Sequence, residues 1–282
     1  MRKFVFITHR TPAHLRSTLR ADLNEICLQA LHAQIYEDWK LLLIGEHESE
    51  KGKIKEVAID FTPGSPAAAE QLEKIYNRDD VKDFIHDSDY LVKIDDDDLI
   101  SPNILDAVKD LDFDVYFDTH HTFYEISSGC ISRQKRPWIP STCIHKTKQI
   151  LSPLRGGKNN IFTNSVLYSD HSKLWHVHYE DKIVLYAKPQ NPVYLRVLSP
   201  DSITSLGLAK QGHLNYGQEG DLSHYFFEYL PGFGPWKRKL NPEFEPYYPG
   251  LEKAWVRYSG NSQKPIPSEN LIKRVLRRFR HV

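Results

Sequence analysis

The chain has 282 residues, of which 40% are hydrophobic, 12% aromatic and 26% charged. That apolar share is enough for a packed core and excludes a disordered chain. Thirty-seven basic residues balance thirty-seven acidic ones, so no overall field draws the molecule to nucleic acid or to lipid.

Three scattered cysteines, Cys27, Cys130 and Cys143, form no CxxC pair. They exclude a disulfide framework and suit a reducing compartment. The opening MRKFVFITHR has two early basic residues, but its apolar run is too short for a signal peptide. No run approaches the ~20 apolar residues of a membrane span. The expected location is the cytoplasm.

Lys3 to Thr8 is a β-rich run that reads as a first buried strand. Pro12 opens a helical pattern with Leu15, Leu19, Leu23, Ile26 and Ala30 on one face. Trp39 to Ile44 is a second buried strand, ended by Gly45 and followed by a charged loop. Ile54 to Phe61 is a third strand, closed by Thr62-Pro63-Gly64; Ser65 then caps a helix through the alanine run to about Tyr76. Tyr90 to Ile94 is a fourth strand that runs straight into Asp95-Asp96-Asp97-Asp98, after which Ser101-Pro102 caps a further helix. Val115–Phe117 and Thr122–Ile126 read as later strands.

Strands alternating with helices predict an α/β fold with a mainly parallel sheet flanked by helices. Ligands of such sheets collect at the carboxyl ends of the strands, which is where the four aspartates fall. Residues 1–230 read as one domain, 1–110 for a nucleotide and metal half and 111–230 for an acceptor half. Residues 231–282 read as an irregular extension rich in proline and aromatic residues.

Four adjacent carboxylates repel one another unless a cation or hydrogen-bond donors compensate. A solvated acidic loop is the plainer alternative, but the run follows a buried strand with no spacer. An EF-hand loop needs Gly at its sixth position, where this chain has Ile100. Hard oxygen ligands at this spacing suit Mg²⁺ or Mn²⁺ bridging the phosphates of a nucleotide. A second acidic pair, Glu180-Asp181, follows Trp175-His176-Val177-His178 and precedes the apolar stretch Ile183 to Ala187. Alone it reads rather as a helix-start pair favoured by the dipole. His176 and His178 are candidate metal ligands, with a structural role as the alternative. No GxGxxG, P-loop or GxSxG motif is present.

Taken in order, three blocks resemble the inverting GT-A glycosyltransferases of family 2. FITHRTPAHLRSTL with LQALHAQIYEDWKLLLIGE is similar to that family's opening strand, helix and second strand, including Gln34, Tyr36 and Trp39. YLVKIDDDDLISPNIL resembles its metal motif, and YEDKIVLYA with YLRVLSPDSITS its acidic and closing motifs. The resemblance covers the chain to about Ser205. It implies a GT-A fold and transfer of a sugar from a nucleotide-diphosphate donor to a saccharide or lipid-linked acceptor hydroxyl. It carries a DxD onto Asp95 and Asp97 as metal ligands, with Asp95 and Asp96 at the donor phosphates. It makes Asp181, beside Glu180, the general base of an inverting reaction.

Thr8, Arg10, Glu46 and Asp60 are further candidates for donor contact. The family's second strand ends in acidic residues that help hold the nucleobase, whereas here Gly45-Glu46 follows, which leaves Glu46 and Asp60 as the candidates for base recognition. Bacterial surface-polysaccharide synthesis is the setting that the resemblance suggests. Two other classes remain open: a sugar nucleotidyltransferase, and a nucleotide-sugar-binding protein of the same fold without turnover. Lys135, Arg136, Arg155 and Lys158 either steer an anionic ligand or are a solvated surface. Residues 268–282 form a basic amphipathic pattern that docks on the core or on an anionic membrane at its inner face.

Overall fold

Apolar side chains on both faces bury Phe4–His9 as β1, and the fold is assembled around it. The computed structural model describes residues 1–59, 66–127, 129–135, 140–149, 173–200 and 242–261. Helix α1 spans Thr18–His32 and begins later than the apolar pattern suggested. Ser17 caps it, its hydroxyl accepting from the Arg20 amide at 3.0 Å. Ala13–Leu15 is a separate 3-10 turn, because Arg16 is extended and breaks the helical path.

Strand β2 (Trp39–Gly45) lies parallel to β1, with Phe4 opposite Trp39 and His9 opposite Ile44. The expected charged loop is in fact an edge strand. Ser49–Lys51 (β3) pairs antiparallel with Ile54–Ala58 (β4) around Gly52, whose φ of +60° suits a residue without a Cβ. All three β3 side chains are exposed, so the strand carries no apolar signal. Helix α2 spans Pro66–Tyr76, and α3 (Asp79–His86) follows it unanticipated. Val81 and Ile85 of α3, one turn apart, reach the core, and Asp79 and Asp80 sit at its positive end.

The later elements are β5 (Tyr90–Lys93), β6 (Leu99–Ile100), α4 (Ile104–Val108), β7 (Val115–Phe117), β8 (His120–Glu125) and β9 (Cys130–Lys135). After them come β10 (Ile144–Lys146), α5 (Lys173–His178), β11 (Val184–Tyr186), β12 (Tyr194–Leu198) and α6 (Tyr248–Asn261). Eight strands form the main sheet in the order β11-β7-β10-β5-β1-β2-β4-β3. Only β3 and β10 run against the rest. The molecule is therefore the expected α/β type, a mainly parallel sheet flanked by helices. Helices α1 and α6 share a core with one face, while α2 and α3 cover the other. Trp175 and Tyr179, on α5 and just after it, form a smaller cluster with Val115, Phe117 and Cys143.

A four-stranded second sheet, β6-β12-β8-β9, was not foreseen. It grows from the main sheet where β7 passes into β8. Asp118 and Arg133 pin that junction with a buried pair at 2.7 Å, and Arg133 also donates to Thr122 Oγ1.

The described part of the proline-rich extension is helical. A 3-10 turn, Pro242–Tyr247, leads into α6, and Phe244, Tyr247, Tyr248, Leu251, Ala254 and Trp255 enter the α1 core. The Tyr248 ring stacks on Tyr124 of β8 at 5.4 Å, and Arg257 pairs with Asp22 of α1 at 2.8 Å. Among the described residues no helix is long and apolar enough to cross a membrane. The basic segment 268–282 lies outside them.

Candidate functional site

The carboxyl ends of β1, β2, β4 and β5 open on one edge of the main sheet. Ile7 lies opposite Lys93, and the amide of Ile94 donates to Ile7 O at 3.0 Å. The chain leaving β1 (Arg10 and Thr11) therefore lies beside the chain leaving β5, which is the aspartate run. Arg10 is held there by its amide, which donates to Ile44 O of β2 at 2.8 Å, and by its Nε, which donates to Asn24 Oδ1 at 2.8 Å.

Each aspartate has its own surroundings. Asp96 is 1% exposed and fully committed. Its Oδ2 accepts from the Thr11 amide at 2.7 Å, its Oδ1 is ion-paired with Arg20, and Asn24 donates to its carbonyl at 3.3 Å. It is a structural residue, not the phosphate contact expected of it. Asp98 is equally buried, and its Oδ1 accepts from the Val197 amide of β12 at 3.0 Å. Burial raises its pKa well above the ordinary aspartate value, opposed in part by the field of half-buried Arg196. It ties the run to the second sheet.

Asp97 is 6% exposed, with Oδ2 ion-paired to Arg20. Burial pushes its pKa up to about 7, against the pull of Arg20. Its Oδ1 makes no hydrogen bond among the described residues. Asp95 is half-buried and its carboxylate makes none there either; its carbonyl accepts from the Asp98 amide at 3.2 Å and from Cys27 Sγ at 3.6 Å. Asp98 Oδ2 also makes no hydrogen bond among the described residues but is sealed from solvent, so Asp95 and Asp97 are the members of the run whose free oxygens face the mouth.

The neighbouring candidates fare unequally. Thr8 is 1% exposed, so its hydroxyl does not reach a ligand arriving from solvent. Glu46 is half-buried and ion-paired with Arg16, at the mouth beside β2. Glu56 Oε1 accepts from the Glu46 and His47 amides at 3.0 and 3.2 Å. That carboxylate occupies the space above Gly45, where a Cβ would meet it at 2.6 Å. Asp60 lies outside the described residues, as do Arg136, Arg155 and Lys158; Lys135 is exposed at the end of β9.

The structure does not bring Glu180 and Asp181 to this site. Val184 lies opposite Val115, Val115 opposite His145, and His145 opposite Leu91. The amino end of β11 is therefore level with the amino half of β5, three strands away. Both carboxylates sit on the exposed turn before β11, at the other end of the sheet from Asp95. Strand spacing and rise put them on the order of 20 Å from the aspartate run. A general base must come within about 3 Å of the acceptor hydroxyl. The assignment of Asp181, and of Glu180 beside it, is corrected on that ground.

The histidine pair divides likewise. His178 is buried, and the side chain of His176 lies outside the described residues. Behind them His145 is wholly buried, its Nδ1 2.7 Å from Tyr179 OH, and burial holds its pKa down to about 3.

Sequence reasoning missed Arg20, Asn24 and Arg196. Arg20 shares a helix face with Asn24 four residues on, a spacing legible in the sequence once the face toward the aspartates is known.

Asp95 and Asp97 together offer two hard carboxylates, which fits Mg²⁺ or Mn²⁺ held by few protein ligands and completed by phosphate oxygens. Among the described residues no three His, Cys, Asp or Glu side chains converge as a ready-made metal cage.

No protein-family model matches the chain, and no curated protein matches it. Solved structures resemble it at low similarity. S. aureus TarS (residues 1-349) is 12% identical with a TM-score of 0.42, over 90% of this chain and 80% of that one. The galactosyltransferase LgtC, in complex with donor and acceptor sugar analogs, is 12% identical with a TM-score of 0.33, over 67% of this chain and 74% of its own. The apo-form glycosyltransferase GlyE of Streptococcus pneumoniae is 8% identical with a TM-score of 0.35, over 85% of this chain and 66% of its own. These scores are too low to place the chain in a family, so its chemistry is read from its own residues.

Proposed function

We propose that the chain is a nucleotide-sugar glycosyltransferase that holds the donor's diphosphate at Asp95 and Asp97. The observation that carries this is their position. Two carboxylates with uncommitted oxygens end the central strand β5, at the edge of a parallel sheet where ligands of such folds collect. Three guanidinium groups, of Arg10, Arg16 and Arg20, stand around the same mouth.

Departure of a nucleoside diphosphate develops negative charge on its leaving oxygen, so the barrier falls when fixed positive charge faces it. A divalent cation such as Mg²⁺ or Mn²⁺, when bound at Asp95 and Asp97, supplies Lewis-acid neutralisation of that charge. Arg10, anchored to Asn24 and to the β2 backbone, presents its guanidinium to the same region. Glu46, paired with Arg16 at the end of β2, lies where a nucleobase or ribose would meet the sheet edge. The acceptor is a saccharide or lipid-linked hydroxyl. Asp181, before β11 at the far end of the sheet, is not the group that takes the acceptor's proton.

The test is binding of nucleoside diphosphates in the presence of Mn²⁺, followed by thermal shift and calorimetry. Wild-type chain is expected to bind at least one of UDP, GDP, CDP, ADP or dTDP. Asp97→Ala is expected to lose Mn²⁺-dependent binding while keeping its circular dichroism spectrum. Unchanged affinity in that variant would remove Asp97 from the site.

A further inference from the structure

We propose that Arg20 is the built-in counter-cation of this site, holding Asp97 in the place of a metal until a diphosphate arrives. The inference rests on the donor-site reading of Asp95 and Asp97. It adds that metal and nucleotide bind together and not metal first.

Arg20 sits in the first turn of α1, fixed by the Ser17 cap on its own amide. Its side chain crosses to the aspartate run and is only 11% exposed. Nη2 pairs with Asp96 Oδ1, Nη1 with Asp97 Oδ2, and Nε donates to Thr11 Oγ1 at 3.1 Å. One guanidinium thus bridges two carboxylates, which a planar fork with five donors does well and an ammonium does poorly.

The two ends of the bridge are unequal. Asp96 is also held by the Thr11 amide and by Asn24. Asp97 has, among the described residues, no hydrogen bond except the one from Arg20. Asp96 is therefore the anchor and Asp97 the exchangeable partner. A divalent cation arriving alone must displace Arg20 from Asp97 and then face an unpaired guanidinium a few ångströms away, a like-charge contact. A cation arriving with a diphosphate brings the anion that the released guanidinium needs, while Asp96 keeps Arg20 in place. Guanidinium and phosphate are well matched for this. Arg20 is in this account a positioning residue that sets the order of binding.

The experiment measures Mn²⁺ alone, by the loss of the free-ion electron paramagnetic resonance signal. Wild type, Arg20→Met and Arg20→Lys are compared, with Asp97→Asn added to the methionine variant. Arg20→Met is expected to bind Mn²⁺ at least about ten-fold more tightly than wild type. Asp97→Asn should abolish that gain, and Arg20→Lys should fall between, since a lysine cannot bridge both carboxylates. If Arg20→Met does not fold, the gain in Arg20→Lys decides by the same criterion. Equal Mn²⁺ affinity in wild type and the Arg20 variants overturns the role of Arg20. That result leaves the donor reading standing if nucleoside diphosphate binding still depends on Asp97. Failure of Mn²⁺ to bind any of these chains, with nucleotide binding indifferent to Asp97, overturns both.

Discussion

Four consecutive carboxylates at the end of a buried strand are stable only because each meets a different compensation. Asp96 takes a guanidinium and a backbone amide, Asp98 an amide from the second sheet within the field of half-buried Arg196, and Asp97 half of the Arg20 fork. Asp95, half-buried at the mouth, stays partly open to solvent. The sequence shows the run but not this division, because the partners lie 76 and 77 positions away for Arg20 and 99 for the Val197 amide. His145 offers a test at the same scale. Burial lowers its pKa from 6.5 to about 3, so the unfolded chain binds the extra proton between those values. Its contribution to stability is present above pH 6.5 and is lost as the pH falls toward 3. Between pH 7 and pH 5 the loss should be about 2 kcal/mol. Urea unfolding of wild type and His145→Gln at both pH values checks it: the variant should lose less stability on acidification. An equal loss in the two proteins would mean that His145 is not held neutral.

At the scale of elements, period and position separate what could be read from what could not. Strands β1, β2 and β5 are buried on both faces, so their apolar runs were plain in the sequence. Strand β3 has three exposed polar residues and no such signal. Helix α3 spans only eight residues, and its two buried positions are too few to mark a face in advance. The second sheet escaped notice for another reason. Its strands pair at long range, β12 with β8 and with the two-residue β6, and nothing local fixes those pairings. The acidic pair at Glu180 was legible as a motif, yet only the register of β11 against β7 reveals which end of the sheet it occupies.

Helix α6 shows the converse, a proline-rich stretch whose aromatic residues were noticed while its helicity was not. Its Leu251 is wholly buried in the core shared with α1. Leu251→Ala should therefore destabilise the chain by about 2–5 kcal/mol, the lost transfer energy plus the cavity left behind. Chemical denaturation measures it, and a change under 1 kcal/mol, small for a core deletion, would mean that α6 is loosely held.

For the whole molecule, the parallel sheet carries the proposed site at one edge, and the second sheet and α6 pack behind it. Asp98 links the aspartate run to β12, and Tyr248 links α6 to β8. The mouth proposed to take the donor is thus built from β1, β5 and α1 and braced by elements that reach it from later in the chain. Arg10, Arg16 and Arg20 stand there among the carboxylates, Arg16 paired with Glu46 and Arg20 with Asp96 and Asp97. The most direct measurement is release of nucleoside diphosphate from a panel of nucleotide sugars with Mn²⁺, for wild type, Asp97→Asn and Asp181→Asn. The account predicts that wild type consumes at least one donor, that Asp97→Asn is slower by roughly 100-fold or more, and that Asp181→Asn stays within a few-fold of wild type. Release from no donor, or release that Asp97→Asn leaves intact, would contradict it.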